Sequence, residues 1–199
     1  LLLAKKQSEE LQRPIVPIFW IAGEDHDIEE INHTYTLADG QLKKRAYSIR
    51  NRKKMMASKT VFDKAEMEKT ILQIFADFGE TQYTNDILKT VQKAIQHSLT
   101  FTDLFSSLMN DLFKQYGLLM IDAANESFRQ LESDYFIRLI ENSELIASEV
   151  YKKEQQLVSL GSPTPIQAKE NSDTLFYVQD GERHLLEWEN GYAKNKAAQ

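Results

Sequence analysis

Two apolar runs, each ending in acidic residues, stand out from a chain that otherwise mostly alternates apolar and polar positions with helical or strand-like periods. Residues 15–22, Ile-Val-Pro-Ile-Phe-Trp-Ile-Ala, contain no polar side chain and break into Gly23 and four ionisable residues, Glu24, Asp25, His26 and Asp27. The second stretch, Leu118-Leu-Met-Ile-Asp122, also ends in an acid. Short apolar runs rich in branched and aromatic residues predict strands buried on both faces, as in parallel sheets. Between and around them the periods change. Residues 1–11 predict the tail of a helix that ends before Pro14, because the residue preceding a proline is pushed out of the α region. A short helical turn is expected at residues 27–31. Residues 33–37 and 41–47 flank Ala38-Asp-Gly40, and an Asp-Gly pair between alternating segments predicts a hairpin. Residues 50–60 are basic and turn-like.

Three helices are expected next. Ile71, Ile74, Phe75 and Phe78 mark the first, and Ile87, Leu88, Val91, Ala94 and Ile95 the second, with Asn85 as its N-cap. Leu104, Phe105, Leu108, Met109, Leu112, Phe113 and Tyr116 mark the third, closed by Gly117. Phe128, Leu131, Tyr135, Leu139, Ile146 and Val150 lie along one side of a single long, coiled-coil-like helix predicted over residues 125–157. Gly161-Ser-Pro-Thr-Pro165 breaks it, and a hairpin follows over residues 175–178 and 183–188, turning at Asp180-Gly181. This order of elements predicts an α/β fold with a Rossmann-like core and inserted connecting segments. The first stretch of the core is assigned to residues 1–48 and a helical connecting insertion to 49–100. The core resumes with the long helix over 101–160, and a linker with the C-terminal β-hairpin occupies 161–199. The chain opens on Leu1-Leu-Leu-Ala without a methionine and closes soon after the hairpin, so a fragment of a larger protein is expected.

Composition narrows the function classes. The 199 residues suffice for one domain with a real core, or one domain plus an appendage. A net charge of -6 argues against general nucleic-acid or anionic-membrane binding, which needs a basic face. No apolar run approaches the length of a bilayer span, and no signal peptide is visible. The absence of cysteine removes disulfides, a thiolate nucleophile and cysteine-ligated zinc, and fits a cytoplasmic protein.

The loop after the first apolar run holds the strongest candidate chemistry. Ligand sites in open α/β sheets gather beyond the carboxyl ends of the strands, where Glu24, Asp25, His26 and Asp27 lie. Three carboxylates beside one imidazole suit general acid/base work, since repulsion and partial burial spread their proton affinities. The ordinary alternative is that Asp27 caps the following turn and Asp25 faces water. Asn32 and His33 either return to the same pocket or simply start a strand. Trp20 is either core or a stacking surface. Asp122 faces ligand hydroxyls or an amine, or else caps the next helix. Lys43, Lys44, Arg45, Arg50, Arg52, Lys53 and Lys54 form the one basic cluster and are read first as a solvated connecting loop, with phosphate or carboxylate binding as the second choice. His97 and His184 are read as structural.

Phe19-Trp-Ile-Ala-Gly-Glu-Asp-His-Asp27 followed by Glu30-Ile-Asn-His33 resembles the bacillithiol-biosynthesis cysteine-adding enzyme family, BshC. Ser98-Leu-Thr-Phe-Thr-Asp103, Gly117-Leu-Leu-Met-Ile-Asp122, the Phe128/Leu131-Glu132 spacing and Leu175-Phe-Tyr177 resemble it too, so the similarity spans nearly the whole chain. The tryptophan-to-histidine block is the specific element. The resemblance implies a nucleotide-binding Rossmann-like core interrupted by connecting peptides, and places this chain in the central part of a longer sequence. It implies a ligase joining L-cysteine to glucosaminyl-malate by amide formation, with ATP and magnesium as cofactor and neither nucleic acid nor membrane as partner. On that basis His26 contacts the nucleotide or acts as base, with Asp25 or Asp27 orienting it. Trp20, Gly23, Glu24, Asn32, His33 and Asp122 are the substrate- or nucleotide-binding candidates.

Two rival readings remain at the level of sequence. In one, the cluster from Glu24 to His33 holds zinc or manganese and activates water for hydrolysis, although its spacing matches no tight zinc motif and no resident metal is expected. In the other, the long helix makes the piece a non-catalytic scaffold or homodimerisation module.

Overall fold

The computed structural model describes residues 1–49, 53–164, 172–189 and 192–194. The chain divides into two compact units, Leu1–Asn125 and Glu126–Gln199. The architecture is mixed α/β, as the order of periods predicts. No helix among the described residues is long and apolar enough to cross a membrane.

In the first unit, helix α1 (Leu2–Leu11) ends at Gln12, whose φ of 50° is left-handed, just ahead of Pro14. Strand β1 is Ile18–Ile21 and pairs in parallel with β4 (Leu119–Asp122), aligning Ile18 with Leu119 and Ile21 with Asp122. The strand is shorter than the apolar run because Pro17 has no N–H to donate; it contributes only its carbonyl, which accepts from the Leu119 amide at 3.0 Å. Burial on both faces is not observed. Ile21 is buried, but Ile18, Phe19 and Trp20 are exposed, because two strands supply too few neighbours to cover both faces of a sheet.

The connection between these parallel strands carries the other elements of the unit. Helix α2 (Ile28–Ile31) leads into the antiparallel hairpin β2 (His33–Ala38) and β3 (Gln41–Ala46). Its turn residues, Asp39 and Gly40, have φ of 54° and 74°, the double left-handed turn that matches strand twist. A 3-10 turn (Ala57–Lys59) precedes α3 (Lys64–Phe78), α4 (Thr84–His97) and α5 (Phe101–Phe113). Helix α4 begins one residue before Asn85, so Asn85 is inside the first turn and Tyr83 holds the N-cap position. Helix α5 starts with a capping box, Thr100 accepting from the Asp103 amide and Asp103 accepting from the Thr100 amide. Gly117, at φ 71°, closes the 3-10 turn Lys114–Tyr116 after α5.

The core of this unit is built from Ile28, Tyr47, Phe62, Met67, Ile95, Phe101 and Leu104 with Ala57 and Ala94. Phe101 meets the rings of Tyr47 and Phe62 edge-on at 5.5 and 5.9 Å. The Tyr47 hydroxyl accepts from the Asp63 amide at 2.8 Å, which ties the end of the hairpin to the start of α3.

In the second unit the segment expected as one long helix is three: α6 (Glu126–Leu131), α7 (Ser133–Glu141) and α8 (Ser143–Ser159). The breaks coincide with short polar side chains that take backbone carbonyls for themselves. Ser133 donates to the Gln130 carbonyl, Asn142 to that of Arg138 and Ser143 to that of Ile140, at 2.7–2.9 Å. Strands β5 (Ser172–Gln179) and β6 (Glu182–Glu189) form the expected hairpin, turned by Asp180 and Gly181 at φ 53° and 79°. A third strand, β7 (Tyr192–Lys194), pairs with β6 and has no counterpart among the expected elements.

The hairpin of the first unit is pinned to α3 by one ion pair. Arg45 donates from Nε and Nη2 to the two oxygens of Asp77, at 2.6 and 2.8 Å, and the hydroxyl of buried Thr36 donates to the same carboxylate at 2.5 Å. The Arg45 guanidinium first, and then the Thr36 hydroxyl, hold the Asp77 carboxyl well below the usual carboxylate range. A carboxyl depressed in the folded state adds stability that is complete above its unfolded pKa of about 4 and is lost as pH falls through the folded value. Urea midpoints should therefore decline below about pH 4 in the wild type. Asp77→Asn should show a lower midpoint at neutral pH and a flatter acid limb.

Candidate functional site

Beyond Ile21 the backbone turns sharply, the Asp25 amide donating to the Ala22 carbonyl at 3.1 Å. The His26 amide donates to Asp25 Oδ1 at 2.7 Å, and the Ile28 amide to the His26 carbonyl at 2.8 Å, leading into α2. Asp27 occupies the N-cap position but makes no side-chain cap. Its Oδ1 instead stands 3.5 Å from His26 Nε2, while Asp25 Oδ1 stands 3.4 Å from His26 Nδ1. The imidazole thus sits between two carboxylates at ion-pair distance, longer than a good hydrogen bond. Nδ1 is buried and, among the described residues, has no partner in hydrogen-bonding geometry; the same holds for Glu24 Oε2. His26 is the enclosed member, its side chain 23% exposed against 50% for Asp25 and 57% for Asp27. One ligand atom from each of the three lies within 4.8 Å of the others.

Parallel pairing brings the end of β4 alongside. Asp122 is opposite Ile21, and both its oxygens are engaged within the protein. Oδ1 accepts from the Ala124 amide at 2.9 Å, and Oδ2 from the Ser58 hydroxyl at 2.6 Å. The 3-10 turn carrying Ser58 is stitched to the loop, the Ser58 amide donating to the Gly23 carbonyl at 2.9 Å and the Ala57 amide to the Asp25 carbonyl at 2.7 Å. Ser58 Oγ is also 3.2 Å from Oγ1 of buried Thr102 on α5. Asp122 therefore braces the loop and caps its own turn. Sequence reasoning missed Ala57, Ser58 and Thr102. Ser58 lies in a basic, turn-like stretch and Thr102 on a helix read for its apolar stripe, and neither position carries a periodic signal.

A cavity of about 560 Å³ opens beside the loop, between β1, the β2–β3 hairpin, α3 and α5. Trp20, Gly23, Asn32 and His33 line it, so four predicted binding residues are brought to one space; Glu24, Asp25, His26, Asp27 and Asp122 are not in its wall. Trp20 is 49% exposed and does not belong to the core. Asn32 Nδ2 donates to the Tyr47 carbonyl at 3.1 Å, and His33 Nδ1 lies 2.9 Å from the Glu29 carbonyl. The rest of the wall is chiefly apolar, with Phe19 and Phe105 in ring contact at 5.7 Å. Of the described members of the basic cluster, only Arg45 lines this space. Lys43 pairs with Asp39 and Arg45 with Asp77, Lys44, Lys53 and Lys54 are exposed, and Arg50 and Arg52 lie outside the described residues. His97 and His184 are both engaged locally, His97 Nδ1 2.7 Å from the Lys93 carbonyl and His184 stacked on Tyr177.

Residues 1–199 match the family model described as "Bacillithiol biosynthesis BshC, N-terminal Rossmann-like domain". The chain belongs to the BshC family. Relatives named "Putative cysteine ligase BshC" include one from Lysinibacillus sphaericus, 54% identical over 198 residues covering 100% of this chain and 37% of the relative. Others are from Bacillus licheniformis, 40% identical over 191 residues (96% of this chain, 36% of the relative), and Geobacillus kaustophilus, 36% identical over 197 residues (98% and 36%). The chain thus spans little more than a third of the length of these relatives.

Gly23 is the tightest point of the site. A Cβ there would overlap Ser58 Oγ and Asp122 Oδ1, and Gly23 itself is buried. Gly23→Ala should cost about 1–3 kcal/mol of stability, the range for forced overpacking, read as a lower chemical-denaturation midpoint.

Proposed function

We propose that the protein to which this BshC domain belongs is a cytoplasmic ligase that joins L-cysteine to glucosaminyl-malate, the last step of bacillithiol biosynthesis. The loop from Gly23 to His33 forms part of its active site. Family membership over the whole chain and the names of the relatives support the reaction class. The observation that carries the assignment of the loop is the imidazole of His26 enclosed between Asp25 and Asp27 at the carboxyl end of a parallel strand.

Amide formation needs a carboxyl carbon bearing a leaving group and an amine with a free electron pair. ATP with magnesium, when bound, supplies the free energy that activates the cysteine carboxyl. The donor set suits that magnesium: carboxylate oxygens of Asp25 and Asp27 beside a buried, unpartnered Glu24 oxygen are the hard ligands it prefers. The chain holds no glycine-rich phosphate cradle, so the polyphosphate has no assigned seat in this segment. As the sugar amine forms its bond to carbon and the leaving group departs with its electron pair, the amine loses a proton. His26 is the group that accepts it, with Asp25 and Asp27 at ion-pair distance stabilising the resulting positive charge. Trp20, Asn32 and His33 line the adjacent cavity and orient substrate or nucleotide.

The test uses the full-length protein, wild type and His26→Ala, supplied with cysteine, glucosaminyl-malate and Mg-ATP. Mass spectrometry follows the cysteine adduct, and circular dichroism verifies folding. The expected result is adduct from the wild type and a loss of about 100-fold or more in folded His26→Ala, the scale of general acid/base catalysis. No adduct from the wild type overturns the reaction; equal adduct from both keeps the ligase and removes the loop from its chemistry.

A second reading, metal-dependent hydrolysis, is favoured by the ligand atoms of Asp25, His26 and Asp27 lying within 4.8 Å of one another. It predicts zinc or manganese co-purifying with the protein and an ATP-independent hydrolysis abolished by a chelator. Metal analysis of the purified protein, followed by chelator titration, separates the two.

A further inference from the structure

The loop that carries His26 is not held by its own helix or strand alone. Helix α2 is only one turn long and lacks a side-chain cap, and β1 stops at Ile21. What fixes the intervening backbone is the 3-10 turn at residues 57–59, which reaches it through two main-chain bonds, Ser58 to the Gly23 carbonyl and Ala57 to the Asp25 carbonyl. The turn is itself anchored by a side chain. Ser58 Oγ donates to Asp122 Oδ2 at 2.6 Å, a charge-assisted bond, and stands beside Thr102 Oγ1 at 3.2 Å. Gly23 lets this hydroxyl lie directly against the loop backbone, since any Cβ there would overlap it. Asp122 is fixed in turn by the Ala124 amide and by the parallel register that places it opposite Ile21. Ser58 thus joins three segments: the loop after β1 at Gly23, the end of β4 at Asp122 and α5 at Thr102.

We infer that Ser58 is a positioning residue for the acidic and imidazole loop: through Asp122 and the Gly23 carbonyl it sets where Asp25 and His26 stand. This deepens the ligase reading and rests on it for the reaction. Ser58 touches no substrate in this scheme. Its effect is on the geometry of groups that do, so it belongs to the rate of the chemical step more than to substrate capture.

The experiment compares full-length wild type, Ser58→Ala, Asp122→Asn and the double variant. Adduct formation is measured as separate kcat and KM values, alongside thermal midpoints and hydrogen exchange at the amides of residues 26, 57 and 58. Folded Ser58→Ala should lose about 10–100-fold in kcat with KM within a few-fold of wild type, the scale of a displacement of about 1 Å. The double variant should be no slower than the slower single one, because both changes break the same bond. Unchanged kcat in folded Ser58→Ala, or losses that multiply in the double variant, would overturn the inference. If Ser58→Ala does not fold, Asp122→Asn decides, since it keeps the volume and weakens the acceptor: lost kcat supports the positioning role and unchanged kcat refutes it. If the wild type makes no adduct, the ligase reading fails by itself and the exchange data decide. Faster exchange at residues 26, 57 and 58 in Ser58→Ala supports the role of Ser58, and unaltered exchange removes it.

Discussion

The candidate site depends on how closely two strand ends can approach. Gly23 lies just beyond β1 and Asp122 is the last residue of its parallel partner β4, and the space between them holds the hydroxyl of Ser58 and no further carbon atom. The contact is made of short bonds to a charged acceptor and to backbone carbonyls, and it is surrounded by buried groups: Ile21, fully buried Ala123 and Thr102. In such surroundings a polar group left without a partner is costly, so Gly23, Ser58 and Asp122 are a set in which each residue makes sense of the others.

From that point the unit is organised outward in two directions. On one side the loop continues through Glu24, Asp25, His26 and Asp27, where carboxylates flank a ring and Glu24 Oε2 and His26 Nδ1 are buried without hydrogen-bond partners among the described residues. On the other side a largely apolar cavity is walled by β1, the hairpin, α3 and α5. The Arg45–Asp77 pair governs this second side, because it holds the hairpin wall against α3. Polar chemistry and apolar space meet at Gly23, which belongs to both. That adjacency fits the proposed reaction, in which a proton moves at one edge of a pocket that holds the substrates.

The two-stranded parallel sheet leaves Ile18, Phe19, Trp20 and Leu119 exposed. A sheet of this kind is normally covered on both faces. The continuous apolar runs fit such an environment, and among the described residues β1 and β4 pair only with each other.

Much of the local structure was legible in the chain. Asp39-Gly40 and Asp180-Gly181 named both hairpin turns, because a double left-handed turn admits few other residues. The apolar stripes of α3, α4 and α5 named those helices, and the two apolar runs named β1 and β4 along with the acids at their ends. The tryptophan-to-histidine block carried the family. Tertiary structure alone decided the rest. The bond between Ser58 and Asp122 spans 64 positions in the chain and leaves no periodic trace. The breaks at Glu132 and Asn142 arise where polar side chains win carbonyls from the helix, a competition the apolar stripe does not register. Which acids would be engaged was likewise beyond the sequence: Asp77 and Asp122 are bound on both oxygens, while Glu24 Oε2 has no partner among the described residues. Local preference is set by neighbours a few residues away, but the state of a carboxylate is set by whatever the fold brings against it.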